Sequence, residues 1–352
     1  MTDSPVDLSQ KRLCVILNLG SGNKDDDDFK AAIETALQPR CAEFALRQTK
    51  PGDDIPRLTR QAVDDGFDII VAAGGDGTQS AVAGALAGTE VLMGVLPGGT
   101  FNYFARDLGV GEELEDALET IGNARVLSVD VGDIEGLVFL NNISLGVYPH
   151  ILKTRESIYR RWGRSRIAAY WSVLLAVGRL RNPMDLTARV EGEQRKFTTA
   201  LVFVARSAYQ LESFGLDGAD AIREGEFAVL IAKARKPLPL MRSALRLALG
   251  FSAQDNDFDL ILTDELTIDT PKKRQLVAHD GEKTAMTAPL HLKVRHDDLK
   301  VLVPADGRNK TAEAEAWPAS CICRTCISAI TARFWSIRCC SGSMLRRRIW
   351  LS

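Results

Sequence analysis

The 352-residue chain has no apolar stretch of membrane-spanning length. Its longest candidate, Ile167 to Gly178, falls short of the roughly 20 residues that a helix needs to cross a bilayer. Its first residues, Met1-Thr2-Asp3-Ser4-Pro5-Val6-Asp7, lack the basic and apolar regions of a secretory leader. Charge of one sign is not in excess: the formal net charge is −2 with 26% charged residues, which argues against nucleic acid as the main partner. Cysteine is scarce before residue 305, where Cys14 and Cys41 stand alone. The expectation is a cytoplasmic protein with reduced thiols. The phosphate loop G-x-x-x-x-G-K-[ST] is absent, and the G-x-G-x-x-G pattern fails at the main glycine turn. What remains is an ordinary globular composition, 45% hydrophobic, on a chain long enough for two domains.

The glycine turn itself is the strongest positive signal. Phe67 to Ala73 reads as a buried strand, Gly74-Gly75-Asp76-Gly77-Thr78 as a turn, and Gln79 to Ala87 as a helix. Glycine permits positive φ and leaves no Cβ over the loop, so an anion can approach the peptide N–H groups. A helix N-terminus behind such a turn favours phosphate. Asp76 inside the loop would repel phosphate, and therefore points to Mg²⁺ or to proton transfer. A second junction joins the strand Val91 to Leu96, the turn Pro97-Gly98-Gly99-Thr100, and a helix over Phe101 to Gly109. A third joins the strand Leu13 to Leu17 and the turn Asn18-Leu19-Gly20-Ser21-Gly22-Asn23. Three such turns at the carboxyl ends of parallel strands make a nucleotide site. Thr78 and Thr100 can add hydroxyl donors there, and Asn18 and Ser21 can hold the other side.

Texture divides the chain. Residues 1–135 alternate strand and helix, with helices over Phe29 to Leu37 and Ile55 to Asp64, as in a doubly wound α/β domain. Residues 136–304 carry strand-length runs at Thr187 to Glu191, Phe197 to Ala205, Glu226 to Ala232 and Leu292 to Val303, as in a mainly antiparallel β-sandwich. Residues 305–352 fit neither. No acid follows Glu315, and five cysteines fall at Cys321, Cys323, Cys326, Cys339 and Cys340. Their spacing misses the paired C-x-x-C of zinc sites, so this Cys/Arg-rich tail reads as disordered or non-native.

The ordered set Asn18 to Gly22, Gly74 to Thr78 and Leu96-Pro97-Gly98-Gly99-Thr100-Phe101-Asn102 resembles the nucleotide motifs of the diacylglycerol kinase catalytic-domain family. That family includes bacterial lipid kinases, sphingosine kinases and ceramide kinases. Thr49-Lys50-Pro51-Gly52-Asp53-Asp54, Phe139 to Gly146 and His279-Asp280-Gly281-Glu282 resemble further family segments, and the likeness runs over roughly residues 10–304. The resemblance implies ATP and Mg²⁺ as cofactors, a cleft between an α/β domain and a β-sandwich, and nucleotide contacts from Asn18, Gly20, Ser21, Gly22, Thr49, Gly74, Gly75, Asp76, Gly77, Thr78, Gln79, Ser80, Gly99 and Thr100. It implies Asp280 as the catalytic base, with Glu282 beside it. By bare chemistry either Asp76 or Asp280 could take a proton from a hydroxyl, and Asp280-Gly281 alone reads as a plain β-turn.

Three segments depart from the family. Asn18-Leu19 stands where Asn-Pro is usual, and Arg206-Ser207 where Asn residues are common. Glu224-Gly225-Glu226 stands where an Asp-Gly lies near a structural Mg²⁺, which leaves Glu224 and Asp76 as metal candidates.

Two basic amphipathic stretches, Lys153 to Arg181 and Arg235 to Leu249, suit an anionic membrane surface touched peripherally. The leading reading is therefore a kinase that phosphorylates a hydroxyl of a membrane lipid, diacylglycerol-like or a sphingolipid such as ceramide. A kinase of a soluble acceptor, such as NAD or a sugar phosphate, and a non-catalytic nucleotide or lipid sensor are the alternatives. No feature sets the lipid head group or an oligomeric state.

Overall fold

The computed structural model describes residues 5–18, 24–50, 52–146, 183–233 and 257–305. The turn residues Gly20, Ser21 and Gly22, both basic stretches and all but the first residue of the tail lie outside these described residues. The first half alternates as its apolar runs dictate. Strands β1 (Arg12–Leu17), β2 (Glu43–Gln48), β3 (Ile69–Gly74) and β4 (Leu92–Pro97) lie parallel in the order β2-β1-β3-β4. Helices α1 (Lys24–Leu37), α2 (Ile55–Asp64), α3 (Asp76–Leu86), α4 (Tyr103–Asp107) and α5 (Leu114–Gly122) connect them. β3 is buried at every position, as a parallel strand covered on both faces must be.

The later strands are β5 (Ala124–Ile134), β6 (Leu137–Phe139), β7 (Asn142–Gly146), β8 (Met184–Val190), β9 (Glu193–Thr199), β10 (Leu201–Ala205), β11 (Phe227–Ala232), β12 (Phe258–Thr263), β13 (Glu265–Asp269), β14 (Arg274–His279), β15 (Glu282–Thr287) and β16 (Leu290–Pro304). Two short helices, α6 (Ala208–Ser213) and α7 (Ala219–Arg223), fall between β10 and β11. Six strands form an antiparallel sheet, β12-β11-β10-β7-β14-β15. It faces β5, β6, β8, β13 and the first part of β16 across a shared core that includes Phe139, Leu145, Val202, Phe227, Ile268 and Leu292. Phe139 stacks on Phe227 at a centroid distance of 5.8 Å. The β-sandwich texture is thus borne out.

The long strand β16 ties the halves together. Beyond a register shift between Arg295 and Leu299 it pairs with β4, at Val301 and Met93, and extends the parallel sheet. Leu290 and Leu292 before the shift enter the sandwich core, whereas Leu299, Val301 and Val303 after it enter the α/β core. The bulge re-aims the side chains, as an inserted residue must when the period is two.

Two boundaries differ from the sequence reading. Phe197 to Ala205 is not one strand: β9 belongs to the large sheet and β10 to the small one, and the chain changes sheets at Ala200. The run from Phe197 to Ala205 gives no sign of such a crossing, because β-forming residues continue through it without a Gly or Pro. The helix expected over Phe101 to Gly109 spans only Tyr103–Asp107, because Asn102 adopts a left-handed φ of 49° and the chain cannot enter the helix earlier.

Candidate functional site

The β3–α3 and β4–α4 turns meet at the carboxyl end of the parallel sheet. Their glycines serve contact rather than conformation. None of Gly74, Gly75 and Gly77 has positive φ, so the turn does not use the conformational freedom that glycine allows. Gly75 and Gly99 instead lie back to back: a Cβ on Gly99 would sit 2.7 Å from the Gly75 Cα and 2.8 Å from Asn102 Oδ1. Two turns can approach this closely only without side chains. The N-cap of α3, Gly75, carries no capping side chain, so the first-turn N–H groups and the helix dipole face the turn.

On one flank, Asn18 joins two other expected residues. Its amide donates to Thr78 Oγ1 at 2.8 Å, and its carbonyl oxygen accepts from Thr49 Oγ1 at 2.8 Å. Gln79 is fully buried and donates to the Gly74 carbonyl at 3.0 Å, so it fastens the turn from inside. Gly99 and Thr100 are exposed on the second turn.

On the other flank, Asp280 and Gly281 occupy a two-residue hairpin loop between β14 and β15, with φ values of 43° and 90°. Both central residues of a type I′ turn need positive φ, which the Asp-Gly pair supplies. The turn aims the Asp280 carboxylate inward, where it is 5% exposed. It accepts from the backbone N–H groups of Leu140 (2.7 Å), Asn141 (2.8 Å) and Asn142 (3.0 Å), and from the Ser80 hydroxyl on α3.

Asp76 opens α3 and accepts from the backbone N–H groups of Asn102 (3.1 Å) and Tyr103 (2.8 Å), across to the start of α4. Asn141 bridges the two acids: its backbone N–H goes to Asp280 and its side-chain amide to Asp76 Oδ1 at 3.4 Å. Burial, and then the charge of Asp280, push the Asp76 carboxyl above the usual carboxylate range, against the hydrogen bonds that hold it down. Glu282 is exposed; its Oε1 lies 3.8 Å from where a Cβ on Gly77 would be, so it faces the first turn of α3.

This donor set suits Mg²⁺ that arrives with nucleotide phosphate. Asp76 and Glu282 offer carboxylate oxygen around Gly77, and Asn141 Oδ1, beside Asp76, is buried without a partner. Among the described residues no group of three or more His, Cys, Asp or Glu side chains could hold a metal unaided. Glu224, the other metal candidate, is exposed at the end of α7, away from any such group.

Sequence reasoning missed Asn141 and Asn102 as individual participants. Their signal is weak, because Asn at a strand start or before a helix is common; only the contacts across chain segments single them out. His279, beside Asp280, bonds Thr284 at 2.9 Å, and burial lowers its pKa.

The diacylglycerol kinase catalytic domain matches residues 12–134. Over 281 residues the chain is 26% identical to the diacylglycerol kinase of Bacillus subtilis (strain 168), covering 78% of this chain and 91% of that one. It is 36% identical over 136 residues to a protein of Pseudomonas syringae pv. tomato (strain DC3000) named "Probable lipid kinase YegS-like", covering 38% of this chain and 43% of that one. A crystal structure of a diacylglycerol kinase from Bacillus anthracis str. Sterne superposes with a TM-score of 0.64 at 21% identity, over 83% of this chain and 96% of that one. The resemblance drawn from the motifs is borne out, the fold is shared, and the chain is an enzyme of the kinase class.

Proposed function

We propose that this chain, which carries a diacylglycerol kinase catalytic domain, is an ATP- and Mg²⁺-dependent lipid kinase that transfers the γ-phosphoryl group to a hydroxyl of a membrane lipid. The observation that carries the reading is the meeting of an uncapped α3 N-terminus, Asp76, and the Asn141–Asp280 network at one point. Residues 1–135 would hold the nucleotide and residues 136–304 the lipid.

In this reading the first-turn N–H groups of α3 and the hydroxyl of Thr100 receive phosphate oxygens, and Asn18, Thr49 and Thr78 form the wall beside the nucleotide. Gly20, Ser21 and Gly22 would complete that wall. Mg²⁺ neutralises the charge on the transferred phosphoryl group. Glu282 would hold it, with Asn141 Oδ1 as a neutral oxygen, which leaves Asp76 clear of a metal charge that would lower its proton affinity. For the proton of the acceptor hydroxyl, the hydrogen bonding favours Asp76 over Asp280. Asp280 is buried and accepts from four donors, whereas Asp76 accepts from three, is half-buried, and has its proton affinity raised. Asp280 would then set Asp76 through its charge and through Asn141.

A panel of diacylglycerol, sphingoid base, ceramide, NAD and sugar phosphate, with labelled ATP and Mg²⁺, tests the proposal. Label in a lipid product supports it. Label only in a soluble product, or ATP binding with no turnover on any acceptor, overturns it in favour of one of the two alternatives. Among the described residues no helix is long and apolar enough to cross a membrane.

A further inference from the structure

Arg206 is a buried cation at a junction of four elements. It follows β10, and its side chain is 9% exposed. One guanidinium nitrogen, Nη2, lies 2.9 Å from the carboxylate of Asp130 on β5. The other, Nη1, donates to the Ile222 carbonyl on α7 at 2.8 Å. The second oxygen of Asp130 accepts from the backbone N–H of Asp297 in the β16 bulge at 2.9 Å, and His296 Nδ1 lies 3.3 Å from the first. The Asp107 carboxylate on α4 faces the same guanidinium and accepts from the Ser207 hydroxyl and the Tyr209 N–H. The Arg206 backbone N–H in turn donates to the Asn141 carbonyl at 2.8 Å, which joins this junction to the bridge between Asp76 and Asp280.

These ligands, a carboxylate and a main-chain carbonyl converging on one positive group, are what a structural divalent cation collects. A Mg²⁺ held by Glu224 does not fit here. Its carboxylate is exposed, the neighbouring main-chain carbonyl of Ile222 is already bonded to the guanidinium, and a second cation would be repelled by Arg206. We propose that the Arg206 guanidinium is a permanent substitute for a structural metal ion. The fold of this chain then needs no divalent cation of its own, and the only metal it binds arrives with nucleotide. A guanidinium can play this part because it stays charged when buried and directs several N–H donors in fixed directions.

The test uses the full chain without nucleotide or acceptor, so its outcome is independent of whether the protein phosphorylates lipids. Equilibrium dialysis against Mn²⁺, and thermal unfolding in excess EDTA or excess Mg²⁺, should show no bound ion and an unchanged Tm. Saturable Mn²⁺ binding, or a Mg²⁺-dependent rise in Tm that Glu224→Gln abolishes, would overturn the proposal. Arg206→Gln leaves Asp130 buried without its counter-charge, so its Tm should fall, and Mg²⁺ should recover part of that fall in the variant alone. A variant whose Tm matches the parent at every Mg²⁺ concentration also overturns the proposal. If Arg206→Gln does not fold, the dialysis and Tm of the parent chain decide.

Discussion

Ser80 on α3 donates its hydroxyl to the carboxylate of Asp280, 200 residues further along the chain. Through this contact the β14–β15 hairpin is held against the first helix of the glycine turn. Ser80→Ala removes one of the four donors and should cost about 1.5–3 kcal/mol, the range for a hydrogen bond to a charged group. Asp280→Asn should cost more, because an amide places its own N–H donors against those of Leu140 or Asn142, and turnover should fall with it. Denaturant unfolding of the two variants beside the parent checks the order. An Asp280→Asn protein of parental stability and activity would remove Asp280 from both roles.

Asp76→Asn separates chemistry from binding. The Asn102 and Tyr103 N–H groups bond different oxygens, so the amide keeps an acceptor for only one of them, but it also removes the repulsion with Asp280, and its stability cost should be smaller than that of Asp280→Asn. Turnover should drop about 10²- to 10⁴-fold if Asp76 takes the proton. Steady-state rates with the accepted lipid, together with ATP affinity in EDTA, check both halves of the statement.

Gly99→Ala tests the meeting of the two turns. Its Cβ would enter the space of the Gly75 Cα and Asn102 Oδ1, so one turn must move. A loss of about 1–3 kcal/mol in stability is expected, the usual cost of overpacking, and a weaker ATP affinity should accompany it. Calorimetry and a fluorescent nucleotide titration measure the two effects.

Asp107 provides a pH test. Burial raises its carboxyl to about 6, against the bonds from Ser207 and Tyr209, while nearby Glu212 adds to the rise and Arg206 opposes it. A carboxyl that holds its proton more tightly when folded makes folding take up a proton. Its contribution is therefore fully present below the ordinary value of 3.8 and is lost as pH rises through about 6. Relative to Asp107→Asn, the parent should gain stability between pH 6 and 4 with a slope of at most about 1.4 kcal/mol per pH unit. Urea unfolding of both proteins across this range reads the difference.

The proposed membrane contact is drawn from the basic stretches Lys153 to Arg181 and Arg235 to Leu249. Co-sedimentation with vesicles should require anionic lipid and should weaken with salt, because salt screens the attraction between basic side chains and an anionic surface. Failure to sediment with anionic vesicles at low salt would count against peripheral binding.

Much of the glycine-turn end of the parallel sheet was legible in the residues themselves. Runs such as Ile69 to Ala73 carry no polar side chain, so they must be covered on both faces, and the turns that follow them must gather at one end of the sheet. The reason for the glycines was not legible. Gly75 and Gly99 look locally like positions of conformational freedom, and only the packing of one turn on the other shows that they are needed for close approach. The split of Phe197 to Ala205 between two sheets was hidden for a similar reason, since strand-forming residues look alike in either sheet.

The sequence by itself determined the order of strand, turn and helix, the Asp-Gly hairpin at Asp280, and the set of motifs that resembles a kinase family. These depend on local backbone preference and on periodic burial, which adjacent residues express. Tertiary structure alone decided that Asn141 links Asp76 to Asp280, that β16 serves two cores, and that Arg206 rather than a metal ligand fills the junction beneath them. Those facts are hydrogen bonds and ion pairs between distant segments, and such pairs leave no periodic trace along the chain.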